Sequence, residues 1–312
     1  MLTVIMTQRH ITNYRPMTEA DVSATMLLRK AALDWLTRSE GREPSVWMPG
    51  HGDTLVHLVR TDPGGASVCE INGTLVGFGM ALVRGDIWFL AQLFVLPDVH
   101  TLGVGSELLR LARAYGEARG ARIYSVVAST SPVAQALYMR AGMFATGIGY
   151  RMTGPFAPLR ALPAPVASVQ AVEGIAGWQD DIAALDREVF GAERRQDHAF
   201  YLADDPSGAE RASLGLIRDG RLIGYAYTDS DGYLAPVAAY EPADQAPLIR
   251  MAADWLAARE VESGSIWTVS YNRTLIGALL AAGWRVNSWS FFLTSEPFGR
   301  FDRYHPAGGV LL

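Results

Sequence analysis

The apolar positions change period along the chain, and each change predicts an element. From Asp21 onward Met26, Leu27, Ala31 and Leu33 to Leu36 recur at helical spacing, which predicts a helix capped by Asp21 and ending near Gly41. A second helix follows Asp53. Three apolar runs, Ala66–Ile71, Thr74–Val83 and Ile87–Val95, are separated by Asn72-Gly73 and Gly85-Asp86 and read as an antiparallel meander. Leu108, Leu111, Ala112 and Tyr115 then share one helical face, predicting a helix from Ser106 to Arg119 stopped by Gly120. A β-branched strand over Ile123–Ala128, a helix over Pro132–Ala141 closed by Gly142, and a strand over Gly147–Thr153 complete the first half.

The second half repeats this scheme, from a helix near Gln179–Phe190 to a final strand near Trp289–Thr294. Asn72-Gly73-Thr74-Leu75-Val76-Gly77-Phe78 is echoed by Asp219-Gly220-Arg221-Leu222-Ile223-Gly224-Tyr225. Ala141-Gly142-Met143 is echoed by Ala282-Gly283-Trp284, and Arg151 to Phe156 by Leu293 to Phe298. The three offsets are 147, 141 and 142 residues, in the same order, which points to a duplication. The proline-rich stretch from Gly154 to Pro165 cannot sustain an α-helix or a central strand, because each proline removes a donor and fixes φ. It reads as a linker at 156–166 between domains at 1–155 and 167–312. The expected fold class is mixed α+β: two tandem domains, each a mostly antiparallel sheet flanked by helices.

Composition agrees with two globular cores. The 312 residues are 49% hydrophobic and 19% charged, enough apolar surface to outweigh chain entropy. The run Ile87 to Pro97, interrupted by Gln92, is far shorter than the roughly 20 residues of a membrane span. Met1 to Met6 lacks a basic leader, so no secretory signal is expected and the expected location is the cytoplasm. Net charge is −5 and Lys30 is the one lysine, which argues against nucleic acid as a partner. The single cysteine, Cys69, excludes an internal disulfide and reads as a small buried strand residue. The six histidines are scattered without metal-ligand spacing, and no Gly-x-Ser-x-Gly elbow is present.

The chemistry concentrates after the third strand. Phe94-Val95-Leu96-Pro97 leads into a loop with Gly103 and Gly105, followed by the helix predicted from Ser106. Such a loop can aim successive backbone N–H groups at an anion, with the helix dipole adding to the attraction. A Gly-x-Gly triplet alone means little, since 31 glycines in 312 residues give about three by chance. The order carries the signal: strand, proline, glycine loop, amphipathic helix, strand, then Ser131-Pro132-Val133-Ala134-Gln135-Ala136-Leu137-Tyr138.

Over about residues 10 to 155 this order resembles the GNAT (GCN5-related) N-acetyltransferase family. The family's Gln/Arg-x-x-Gly-x-Gly/Ala loop is matched by His100-Thr101-Leu102-Gly103-Val104-Gly105, with His100 at the Gln/Arg position. Its Asn-x-x-Ala-x-x-Leu-Tyr-x-x-x-Gly-Phe helix is matched from Ser131 to Met143, with Ser131 for Asn and Met143 for Phe. The resemblance implies acetyl-CoA as cofactor. The backbone of Val95 would meet its pantetheine arm, Leu102, Gly103, Val104, Gly105 and Ser106 would hold its pyrophosphate, and Phe94 and His100 would be further cofactor-binding residues. Ser131 would be a further cofactor-binding residue, and Tyr138 would lie beside the thioester sulfur as the acid that protonates the leaving thiolate.

Many family members place a glutamate base on the fourth strand, where this chain has Gln92, and an amide cannot be a base. Water, His51, Glu70 or an acceptor that arrives neutral are the remaining candidates. Trp47, Met48, His51, Trp88, Phe89 and Gln92 are candidates for the acceptor pocket, with ordinary core packing as the alternative for the aromatics. In the second half Val237 to Leu248 contains no glycine, Asp244 would repel a phosphate, and Leu279 replaces the tyrosine. That half reads as a degenerate copy that either shapes the acceptor site or mediates dimerisation, with Trp255, Trp267, Trp284 and Trp289 as core. The resulting expectation is direct transfer of an acetyl group to a small-molecule amine. A non-catalytic acyl-CoA-binding sensor and a purely structural dimer module are the alternatives.

Overall fold

The computed structural model describes residues 11–44 and 52–312. The chain divides into two compact units, Met1–Leu82 with Gln92–Ala118, and Val83–Ala91 with Arg119–Leu312.

The first unit contains β1 (Thr12–Pro16), α1 (Val22–Ser39), α2 (Asp53–Thr61), β2 (Ala66–Ile71), most of β3 (Thr74–Arg84), the end of β4 (Ile87–Val95) and α3 (Val104–Ala118). Its strands follow the order β1-β2-β3-β4. The β2–β3 turn takes positive φ at both central residues, 51° at Asn72 and 79° at Gly73, the conformation that Asn-Gly adopts at low cost. Cys69, Ile71, Val76, Val104 and Leu108 form a buried cluster that seats α3 on the strands. Cys69 is fully buried, as a small strand residue should be. Asp21 does not cap α1 with its side chain. It accepts instead from Thr18 N–H and Oγ1, both at 2.8 Å, and pairs with Arg15 at 2.8 Å, closing a short 3-10 turn ahead of the helix.

The second unit contains β5 (Ile123–Ala128), α4 (Pro132–Arg140), β6 (Phe144–Pro155), β7 (Gln170–Glu173), α5 (Gln179–Val189), α6 (Arg195–Leu202) and β8 (Arg211–Arg218). It continues with β9 (Arg221–Asp229), β10 (Leu234–Ala239), α7 (Gln245–Ala257), β11 (Ser263–Val269), α8 (Arg273–Ala281), β12 (Arg285–Thr294) and β13 (Tyr304–His305). The strands lie in the orders β4-β5-β12-β6-β11 and β13-β10-β9-β8-β7. β12, from the second sequence repeat, therefore lies between β5 and β6 of the first, with Phe292 opposite Val127 on one side and Gly147 on the other. β6 in turn pairs with β11, Met152 opposite Ile266. The final strands of the two repeats are exchanged, which the repeat pattern alone did not reveal.

The duplication holds at the level of hydrogen bonds. Gly142 (φ 85°) and Gly283 (φ 83°) end α4 and α8, and the next residues, Met143 and Trp284, donate to Tyr138 and Leu279 carbonyls at 3.0 Å in both cases. Ser131 and Asn272 cap the same two helices, accepting from Ala134 and Leu275 N–H. The Asp219-Gly220 turn has φ of 52° and 75°, repeating Asn72-Gly73.

The proline-rich stretch is anchored. Phe156 and Leu159 are buried in one cluster with Met152, Leu248 and Trp284, and Ala157–Ala161 makes a 3-10 turn. Trp255, Trp267 and Trp284 are core residues as expected, whereas Trp289 is 56% exposed, in the first half of β12, where Arg285 to Trp289 are all exposed.

Beneath α5 and α6 lies a buried ionic network. Arg84 grips Asp197 with two hydrogen bonds of 2.7 Å. Asp186 accepts from Arg194 at 2.9 Å, from the Tyr225 hydroxyl at 2.6 Å, and stands 2.8 Å from His198 Nε2. His198 Nδ1 is 2.9 Å from the Tyr227 hydroxyl. Burial alone would raise the Asp186 carboxyl, but the Arg194 charge and His198 outweigh it and hold the group at about 2.

Candidate functional site

Within the first unit, β4 ends at Val95 and the chain turns through a 3-10 segment, Pro97–Leu102, into α3. Gly103 joins the two with φ of 76°, and a Cβ there would meet nothing within 4 Å. The glycine is thus needed for its left-handed backbone rather than for space, and the volume in front of it is open. The helix begins at Val104, two residues earlier than the sequence suggests. Gly105 and Ser106 therefore belong to its first turn. The first helical bond runs from Glu107 N–H to Gly103 carbonyl at 3.1 Å, so the amides of Val104, Gly105 and Ser106 precede the internal ladder. This is the local geometry that attracts an anion to a helix N-terminus. The Glu107 carboxylate in that turn is bound by Arg110 at 2.7 Å, which holds it below its usual range and offsets its charge. Leu102 is 52% exposed at the lip of the loop.

His100 turns back on its own strand. Its Nε2 donates to the Val95 carbonyl at 3.1 Å, and its ring meets Trp35 of α1 edge to face at 5.4 Å. The imidazole thus fixes the end of β4, while Phe94 stacks on Phe78 at 5.8 Å. Trp35 was not among the sequence candidates; its spacing fits the helical face of α1, which gave no sign of a contact with the loop.

Within the second unit, β4 and β5 run parallel, with register from Ile87 opposite Ile123 to Leu90 opposite Val126. Trp88 is fully buried against Tyr124 (5.4 Å between ring centres), and its carbonyl accepts from Ser125 Oγ at 3.2 Å. This is the environment of a core aromatic. Ser131 opens α4 as its cap, and Tyr138 is the one residue of that helix that is buried. Burial pushes the Tyr138 phenol well above its ordinary range, keeping it protonated. Gln92 of β4 is buried in the first unit. Glu70 is engaged by Arg15 at 2.7 Å. Trp47, Met48 and His51 lie outside the described residues.

The second repeat lacks the equivalent loop. Pro242–Asp244 leads straight into α7 without a glycine, Asp244 faces Arg218 at 3.6 Å, and Leu279 is fully buried where the first repeat has Tyr138. Among the described residues no group of three His, Cys, Asp or Glu side chains could hold a metal, and no helix is long and apolar enough to cross a membrane.

Residues 29–143 match the model of the Acetyltransferase (GNAT) family. No curated protein matches the chain. Among solved structures, a putative acetyltransferase from Pyrococcus horikoshii is similar with a TM-score of 0.70 and 16% identity, covering 96% of each chain. A tandem GNAT protein from the clavulanic acid biosynthesis pathway aligns with a TM-score of 0.62 and 18% identity, over 92% of this chain and 99% of its own. A GCN5-related N-acetyltransferase from Sphaerobacter thermophilus gives 0.63 and 17%, over 92% and 96%. Residues 29–143 thus match the GNAT family model, and the chain as a whole has the fold of tandem GNAT proteins.

Proposed function

We propose that the protein transfers an acetyl group from acetyl-CoA to an amine of a small molecule, with the first repeat, residues 1–155, as the catalytic half. The observation that carries this reading is the left-handed Gly103 in front of open space, placed between a strand end and a helix start inside the matched GNAT region. Backbone N–H groups from Leu102 to Ser106 receive the pyrophosphate, with the α3 dipole favouring its charge. Phe94 and Val95 present the strand end that receives the pantetheine arm, and His100 holds that end by its bond to Val95. When bound, the donor supplies the activated thioester.

The chain contributes proton handling and position. Tyr138, kept protonated by burial, donates to the departing thiolate, whose ordinary pKa is about 8.5. Ser131 fixes the start of the tyrosine's helix. Trp47, His51, Trp88 and Gln92 are the acceptor-side candidates of this reading; Trp88, fully buried, acts through the shape of the core. The acidic balance, net −5 with one lysine, favours a small amine over a nucleic acid, and a cytoplasmic setting suits the lone buried cysteine. The second repeat, 167–312, beyond the 156–166 connection, serves as scaffold and as a candidate dimer surface.

Thiol release tests the reading. Acetyl-CoA incubated with the protein and a panel of primary amines is expected to give free thiol in proportion to an N-acetylated product identified by mass. Binding of acetyl-CoA without thiol release for any amine would favour a non-catalytic acyl-CoA sensor instead.

A further inference from the structure

The two repeats treat the same pair of strands differently. In the first, β4 and β5 are parallel neighbours over four register pairs, Ile87 opposite Ile123 through Leu90 opposite Val126. In the second, the corresponding strands β10 and β11 are not paired: the residue just before β10, Tyr233, makes an isolated parallel bridge to Ser265 of β11, next to a hydrogen bond from Ser265 N–H to Gly232 carbonyl at 2.9 Å. β11 pairs with β6 along its whole length, from Ser263 to Val269, and β10 belongs to the other sheet. The edge of β10 left open is not bare. β13 lies along it antiparallel, His305 opposite Val237 and Tyr304 opposite Ala238. Ala239, which ends β10 as Val95 ends β4, donates its N–H to the Arg303 carbonyl at 3.1 Å.

The segment is built in, not resting on the surface. Tyr304 and His305 are fully buried, and Leu311 and Leu312 are each 3% exposed. Tyr233 Oη donates to the Ala307 carbonyl at 2.6 Å, and Arg194 Nη1 donates to the Leu312 main-chain oxygen at 2.7 Å. Burial pushes the His305 imidazole down to about 3, so a neutral ring fills the position across the ordinary pH range. An open strand edge beside a diverging neighbour accepts any extended group that carries alternating amide donors and acceptors. A peptide strand is one such group and an amide-bearing acyl-carrier arm is another.

We infer that residues 303–305 occupy, in the second repeat, the strand edge at which the first repeat receives the donor's amide-bearing arm, so that the chain closes its second donor notch with its own strand and takes one acyl-CoA. This rests on the reading of Val95 as the strand end that receives the donor. It also explains why the second repeat tolerates Asp244 and lacks a glycine loop: a notch already filled by protein exerts no demand for a phosphate cradle.

Amide hydrogen exchange of the full chain, with and without coenzyme A, tests the inference, alongside the number of coenzyme A molecules bound in native mass spectra. The expected result is that peptides covering 234–239 and 303–305 exchange as slowly as β8 and β9 and do not change on addition of coenzyme A. The peptide covering 93–96 should slow, and one ligand should bind per chain. Exchange of 303–305 at the rate of an unstructured loop overturns the inference, as does slowing of 234–239 by coenzyme A or a second bound molecule. An unresponsive 93–96 with 303–305 protected has a different meaning. It removes the donor reading of the first repeat and leaves the closed notch of the second standing.

Discussion

Asp186→Ala is expected to lower the stability of the protein by about 3–5 kcal/mol, the range found when one member of a buried ion pair is removed. The side chain has no exposed surface and is the common acceptor for Arg194, His198 and Tyr225. Its loss leaves the Arg194 guanidinium, itself 2% exposed, without its carboxylate in a low-dielectric interior. Arg194 also stacks on Phe190 and Tyr304, at 4.5 and 4.6 Å from the ring centres, so it cannot swing out to water without breaking the packing around β13. Urea unfolding followed by tryptophan fluorescence measures the change. A loss under about 1 kcal/mol, the scale of an exposed pair, would show that water reaches the network. Because the group is held at about 2, its stabilisation is present above the unfolded carboxylate value near 3.9 and is lost as the pH falls toward 2.

Tyr138→Phe is expected to reduce kcat by 10²- to 10⁴-fold, the usual contribution of a positioned general acid, with KM for acetyl-CoA little altered. The substitution keeps the ring that packs in the core and removes the one oxygen able to donate a proton. Burial raises the phenol's pKa, so the acid form persists at alkaline pH, and no loss of rate from this group should appear below about pH 10. Thiol release under saturating donor, with the unfolding midpoint as a control for folding, checks the effect. An unchanged kcat would reduce Tyr138 to a packing residue and transfer the acid role to water.

Much of this was legible in the sequence because it is local. Helix ends at Gly142 and Gly283, the Asn72-Gly73 and Asp219-Gly220 turns, and the strands from Ala66 to Val95 follow from backbone chemistry within a few residues. The sequence pattern starts α3 two residues late because Gly105 reads as a loop residue, although the first turn of a helix tolerates glycine where the ladder has not begun. The exchange of β6 and β12 was not legible. Both read correctly as strands, but period-two patterning specifies a face and not a partner, and β12 could satisfy the same pattern beside either neighbour. β13 is two residues long after Pro297 and Gly299, too short to leave a pattern. For the site, the motif order exposed the loop and Tyr138, whereas Trp88 shows the limit: an apolar aromatic on a strand looks alike whether it lines a pocket or, as here, packs fully buried against Tyr124.

The measurement that bears most directly on the central claim is thermal unfolding with and without acetyl-CoA, on the unaltered chain and on Gly105→Glu. The substitution adds a carboxylate in the first turn of α3, where the helix dipole would otherwise attract the donor's phosphates. The account predicts stabilisation of the unaltered chain, about 2.7 kcal/mol when free donor is 100 times its dissociation constant, and none in Gly105→Glu. Equal stabilisation of both proteins would place the donor elsewhere, and stabilisation of neither would mean that the fold survives without the activity proposed for it.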